Sequence, residues 1–426
     1  WPDDTDDLRY FYPSSVMETG YDILFFWVAR MIMMGLEDTG KIPFHWVYLH
    51  GLIRDESGEK MSKLRGNVIN PTQAISEYGV DALRFALTAG SSPGNDINLG
   101  KGKLESSRNI ANKLWNATRF TLQSIDAAAL ECRAIDVIAS EAKQAQQPPF
   151  ASGHSEGEKR PKNLAQGKLR IEDRWIDSQL NRLINNITQL MEDFQFGEAE
   201  QQIYDFVWSK FCDWYIEIAK IRIRDGSIPS PLPLLVSTLE KSLRLLHPFM
   251  PFITEELWQS LKQRLPDENQ MPDSIMIAPY PTTNDKAFNP EAEWVMDCVI
   301  EIVRSIRNIR AQYKVKPGNW IEAQVYTDEL LSGLVLQAEI IEKLARVQPL
   351  AILSRQERKL DKGDALILVL KEAEVVLPWA GMVDRVAEKQ RLAKESETTQ
   401  ARIAQLEARL KDNAFLTKAP PHIIEK

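Results

Sequence analysis

Hydrophobic positions change their spacing several times along the chain, and each change marks a predicted element. From Ile23 to Leu36 almost every residue is apolar, with Arg30 as the interruption, which predicts a buried helix over about Gly20–Leu36 inside an α/β layer. Val47–Ile53 is short, apolar and β-branched, and predicts a buried strand. Asn70-Pro71 then supplies an N-cap and a first-turn proline to a helix running through Ala74, Ile75, Tyr78, Ala82, Leu83 and Phe85. Glycine and serine between Gly90 and Lys103 mark a loop, and helical spacing resumes at about Leu104.

From Glu172 to Arg264 the period becomes that of long amphipathic helices. Trp175, Leu180, Leu183, Ile187, Leu190 and Phe194 form one stripe. Ile203, Phe206, Val207, Phe211, Trp214, Tyr215 and Ile218 form a second. A third runs from Leu235 to Leu261, where Pro248 and Pro251 should kink or restart the helix. Aromatic residues at this spacing read as bundle core. By contrast, Ala127–Gly167 has no apolar period and is read as a flexible insertion.

A further helix is predicted over about Glu291–Tyr313, with Ile302, Ile306 and Ile309 inward. Alternation predicts strands at Ile321–Tyr326, Ala351–Leu353, Ala365–Leu370 and Glu374–Leu377, and a helix at Leu330–Leu344, together a small α+β module. Lys389, Leu392, Ser396, Thr399, Ile403, Leu406 and Leu410 follow a heptad seam along a helix from about Met382 to Lys411. Such a helix would be roughly 45 Å long and needs a partner over its apolar half.

Bulk properties narrow the classes. The 426 residues suggest about three domains, and 44% hydrophobic with 26% charged residues is ordinary for a globular protein. No apolar run reaches the roughly 18 residues of a membrane span, so no membrane partner is expected. Cys132, Cys212 and Cys298 are too few and scattered for a disulfide framework or a zinc site, which fits a reducing, cytoplasmic location. A net charge of -8 confines any nucleic-acid contact to local basic patches.

The candidate chemistry lies in Gly58-Glu59-Lys60-Met61-Ser62-Lys63, followed by Leu64-Arg65-Gly66-Asn67. A cationic loop between a strand and a helix is suited to a polyphosphate, because the ammonium groups of Lys60 and Lys63 can neutralise charge on a leaving pyrophosphate. Arg304, Arg307 and Arg310, with Lys314 and Lys316 behind them, could contact a phosphate backbone or form a solvated helix face. Ile23 and Trp27, four apart, share a helix face and read as core packing, and Asp22 near a helix start reads equally as a cap.

His50-Gly51, Gly58, Lys60-Met61-Ser62-Lys63 and Gly66-Asn67 together resemble the signature loop of class I aminoacyl-tRNA synthetases, with Leu64 where that pattern has serine. Glu18 to Met31 resembles the segment that precedes the loop in the valyl branch, and Cys212–Glu217 and His247–Phe252 resemble its anticodon-binding domain. The resemblance implies an ATP site including Lys60, Met61, Ser62, Lys63, His50, Gly51, Gly20 and Asp22, of which Lys60 and Lys63 are catalytic. It implies an amino-acid pocket at Ile23 and Trp27, and tRNA contacts at Arg304, Arg307 and Arg310.

The implied fold class is α/β followed by mostly α. Residues 1–103 would be the C-terminal half of a Rossmann-type catalytic domain, and 104–290 a helical anticodon-binding bundle with the insertion at about 127–167. Residues 291–381 would be a helix plus α+β junction module, and 382–426 a truncated coiled-coil arm. Neither a His-x-Gly-His motif nor an editing domain is found, so the expectation is a C-terminal portion with little activity alone. The implied substrates are valine, ATP with Mg²⁺, and tRNA(Val), handled by a monomer without protein-bound zinc. An isoleucyl or leucyl relative, or a non-catalytic RNA-binding helical module, are the alternatives.

Overall fold

The computed structural model describes residues 3–62, 64–128, 169–227, 229–265, 271–358, 365–379, 382 and 385–411. Two compact units result, residues 1–294 and 295–426. The predicted insertion at 127–167 lies almost wholly outside the described residues.

The first unit opens with α1 (Asp6–Phe11) and strand β1 (Ser14–Gly20), which pairs in parallel with β2 (Phe44–His50). The predicted strand therefore begins earlier than Val47 and stops at His50; a short β3 (Ile53–Arg54) pairs with β4 (Ile97–Asn98). Between β1 and β2 the predicted single helix is instead three pieces. Tyr21–Ile23 is a 3₁₀ turn, Leu24–Val28 a π turn, and α2 (Ala29–Thr39) ends at Gly40 in left-handed conformation. Its expected burial is corrected as well. Val28 is buried, but Phe25, Phe26, Trp27, Met33 and Met34 are largely exposed. Hydrophobicity specified that this segment wants a cover, and no described residue supplies one.

Helix α3 (Pro71–Tyr78) starts as read from the sequence, with the Asn70 carboxamide oxygen accepting from Thr72 N at 3.0 Å. Gly79, at φ +95°, separates it from α4 (Val80–Thr88). Ala74, Tyr78, Ala82, Leu83, Ala86, Leu99 and Leu104 make one buried cluster. The bundle follows as α5 (Lys101–Ala128), α6 (Ile171–Glu192), α7 (Phe196–Asp205), α8 (Ile216–Arg224), α9 (Leu232–Leu246) and α10 (Pro251–Lys262). Phe206–Tyr215, between α7 and α8, winds as a π-helix. The second and third stripes are core: Phe211, Tyr215, Ile218, Leu235, Leu243 and Leu261 are fully buried. The prolines restart the helix, since α9 stops at Leu246 and α10 begins at Pro251. Deep in the bundle Arg222 pairs with Asp173 at 2.6 Å, and the Tyr215 hydroxyl donates to the same carboxylate at 2.8 Å.

α11 (Pro290–Gln312) leads into the second unit, whose sheet has the order β6 (Val347–Leu353), β5 (Ile321–Tyr326), β8 (Glu374–Pro378), β7 (Ala365–Val369). β5 and β6 are parallel and the other pairs antiparallel. The predicted helix at Leu330–Leu344 is two, α12 (Leu331–Leu336) and α13 (Ala338–Ala345). α14 (Arg385–Lys411) carries the heptad seam, with Ile403 and Leu406 half exposed.

Candidate active site

The lysine-bearing loop is built on one close backbone crossing. A methyl group at Gly51 would overlap the backbone of Asn95 and Asp96, so only glycine allows β2 to pass that segment. Asp96 then anchors the base of the loop: its carboxylate accepts from Leu52 N at 2.8 Å and pairs with Arg54. Those partners hold Asp96 below the ordinary carboxylate value, the Leu52 amide contributing most.

Asp55 is the hub of the loop itself. One carboxylate oxygen accepts from Ser57 N at 3.1 Å, Ser57 Oγ at 2.8 Å and Glu59 N at 2.8 Å. The other accepts from the Asn67 carboxamide at 2.7 Å. These bonds, with that from Asn67 the largest contributor, pull the Asp55 carboxyl down to about 2. Gly58 turns at φ +81°, which a side chain would resist. Asn67 closes the far side by accepting from Ser62 N at 2.8 Å and donating to the Lys60 carbonyl at 3.3 Å. Arg65 pairs with Glu59 across the turn. Met61 reaches down onto the buried cluster of α3 and α4, pinning the loop from below.

Lys60 is exposed on this scaffold, and its backbone bridges to Arg54. Lys63 lies outside the described residues. Ser62 spends its Oγ as acceptor for Leu64 N at 3.3 Å, while the Leu64 side chain is 99% exposed. Beside the loop base, β1 and β2 bring Gly20, Asp22 and His50 together. Gly20 is in register with His50, and a Cβ on it would lie 2.8 Å from the Asp22 carboxylate and 3.4 Å from the His50 ring. His50 Nε2 stands 3.4 Å from Glu18, and Nδ1 lies 2.8 Å from the Gly51 carbonyl. Tyr21 links the two clusters, its hydroxyl 3.5 Å from Asp96.

Ile23 and Trp27 are 39% and 48% exposed, so neither is the core residue that periodicity alone suggests. The arginine row is corrected too. Arg304 and Arg307 are exposed, but Arg310 is 8% exposed and donates to the carbonyls of Asn319 at 2.8 Å, and of Lys316 and Arg346 at 3.3 Å. Arg310 therefore closes a turn and is withdrawn from any phosphate. Asp55 and Asp96, which hold the loop, were passed over by sequence reasoning, and Asn67 was read only as part of the loop pattern. The available signal was Asp55-x-Ser57-Gly58, an Asx-turn sequence immediately ahead of the lysines.

Comparison with known proteins bears on this arrangement. Residues 1–100 match the family described as tRNA synthetases class I (I, L, M and V), and residues 173–326 match the anticodon-binding domain of tRNA ligase. The chain thus joins a segment similar to class I tRNA synthetases to one similar to the anticodon-binding domain of tRNA ligases. Within that class, the chain is homologous along its whole length to the valine--tRNA ligases. It is 47% identical to that of Dehalococcoides mccartyi strain CBDB1 over 100% of this chain and 45% of the relative. The values are 42% and 45% for Symbiobacterium thermophilum, and 37% and 44% for Bacillus subtilis, again over 100% of this chain. The chain thus spans less than half the length of these relatives. A solved methionyl-tRNA synthetase of Mycobacterium tuberculosis bound by methionyl-adenylate is 17% identical, with a TM-score of 0.44 over 67% of this chain and 52% of that one.

Proposed function

We propose that the chain is the part of a valine--tRNA ligase that holds the pyrophosphate-leaving side of the ATP site and the tRNA-binding bundle. In this reading valine attacks the α-phosphorus of ATP, giving valyl-adenylate and pyrophosphate, and the valyl group then passes to tRNA(Val). Lys60 and Lys63 stabilise the charge that builds on the departing pyrophosphate, and Mg²⁺, arriving with ATP as part of the substrate, shares it. Gly20 leaves room for the nucleotide beside His50, Asp22 accepts from a ribose hydroxyl, and Ile23 and Trp27 line the valine pocket. α14 serves as one strand of a tRNA-contacting arm, and Arg304 and Arg307 face the nucleic acid. The observation that carries the reading is the loop, in which Asp55 and Asn67 between them bind both flanks of the lysine segment and leave Lys60 pointing to solvent.

The test is a chimera in which this chain replaces the corresponding 45% of the Dehalococcoides relative. Valine-dependent ATP–pyrophosphate exchange is expected from the chimera and little or none from this chain alone. Lys60→Ala and Lys63→Ala in the chimera should each slow exchange about 10²–10³-fold. Undiminished exchange in the double variant would end the assignment of the lysines.

A further inference from the structure

Helix α10 has no cap of its own: Met250 stands at its N-cap and gives no side-chain hydrogen bond. The cap comes from a residue far back in the chain. The Asp81 carboxylate, buried on α4, accepts from Ile253 N at 2.6 Å and Phe252 N at 3.3 Å, the first-turn amides of α10. One turn further along α4, the Arg84 guanidinium donates to the carbonyls of Phe249 and Pro248, each at 3.1 Å. An anion thus meets the positive helix end, and a cation meets the carbonyls just before it. The opposite face of α4 carries Ala82, Leu83 and Ala86, which belong to the cluster on which Met61 sits. One nine-residue helix therefore grips the bundle corner with one face and supports the lysine loop with the other.

We infer that Asp81 and Arg84 are positioning residues for the lysine loop: by fixing α4 to the corner at Pro248–Ile253, they set where Met61, and with it the segment Asp55–Asn67, comes to rest. The route is a continuous one of packed side chains and paired backbone groups, which is the physical requirement for coupling between sites. For its catalytic consequence the inference rests on the function proposed above, whereas its structural consequence can be measured without it.

The experiment is hydrogen exchange on this chain, following the amides of Glu59 and Ser62, which are bonded to Asp55 and Asn67. Asp81→Ala and Arg84→Ala should each speed their exchange about tenfold, the effect expected for a lost cap felt at the loop. Asp81→Asn, which keeps an accepting oxygen, should restore most of the protection. Ile187→Ala, in bundle core away from α4, serves as the control for general loosening and should leave the loop amides slow. The inference is overturned if loop exchange is unchanged while Phe252 and Ile253 open, or if Ile187→Ala has the same effect on the loop. If Asp81→Ala does not fold, Arg84→Ala and Asp81→Asn still decide. In the chimera, Asp81→Ala should raise the KM for ATP and leave that for valine alone. A silent wild-type chimera would count against the proposed function, and the exchange comparison would still decide on the two residues.

Discussion

Asn67 does more for the loop than its place in a glycine-asparagine turn suggests, since one carboxamide serves Ser62, Lys60 and Asp55 together. With each net hydrogen bond worth about 1 kcal/mol, Asn67→Ala should open the loop enough to speed tryptic cleavage after Lys60 and Arg65 by about tenfold. Mass spectrometry of the early fragments checks this. A second residue with a measurable signature is Glu200 on α7. Burial pushes its carboxyl up to about 8, against the smaller opposing pulls of Thr88, Lys103 and Arg84. The folded chain therefore holds a proton that the unfolded chain has released above the ordinary glutamate value near 4.5. Stability is full below that value and falls as pH rises toward about 8. Glu200→Gln should flatten this slope and raise stability at pH 8.5 by about 1–3 kcal/mol, read from urea midpoints at pH 5 and pH 8.5. Neither role was legible in the sequence. The partners of Asn67 depend on how the turn closes, and those of Glu200 on two helices remote in the chain.

What the sequence did show at the scale of elements was whatever rests on local spacing. The Asn70-Pro71 start of α3, the alternation of β5 and the restart at Pro251 are all set by residues within a few positions of one another. Arg304, Arg307 and Arg310 show where such reading ends. Steps of three fall short of a 3.6-residue turn, so the third arginine is rotated about 120° from the first. That rotation carries Arg310 to the side of buried Ile306 and into the turn at Asn319. β1 went unread because Ser14–Gly20 is mostly polar and is made a strand by pairing with β2. Within the bundle, the buried pair of Arg222 and Asp173 ties α6 to α8 and, through Tyr215, to the π segment. Asp173→Ala should cost about 3–5 kcal/mol, because it strips a buried guanidinium of its nearest carboxylate, and thermal unfolding would register the loss.

Over the whole molecule, the apolar residues that the pattern assigned to a core fall into two groups. Those of the bundle are enclosed by neighbouring helices, whereas Phe25, Phe26, Trp27, Met33 and Met34 are left on the surface. Periodicity reports that a face is apolar and says nothing of what lies against it. An exposed patch of this kind should bind an apolar dye. ANS fluorescence is expected to rise several-fold with this chain, and Phe25→Ser with Phe26→Ser should remove most of the rise without changing the helical circular dichroism. In the chimera the same patch should be covered and the dye signal low; persistent dye binding there would show that the relative's remaining length does not close over it.

The borrowed cap on α10 also bears on how this protein can be taken apart. An engineer who cut at residue 103, the frontier read from sequence, and grafted the bundle onto another catalytic segment would leave Phe252 and Ile253 amides facing a stranger's side chain. The modular seam that matters for such a transplant lies before Val80, so α4 has to travel with the helices it serves.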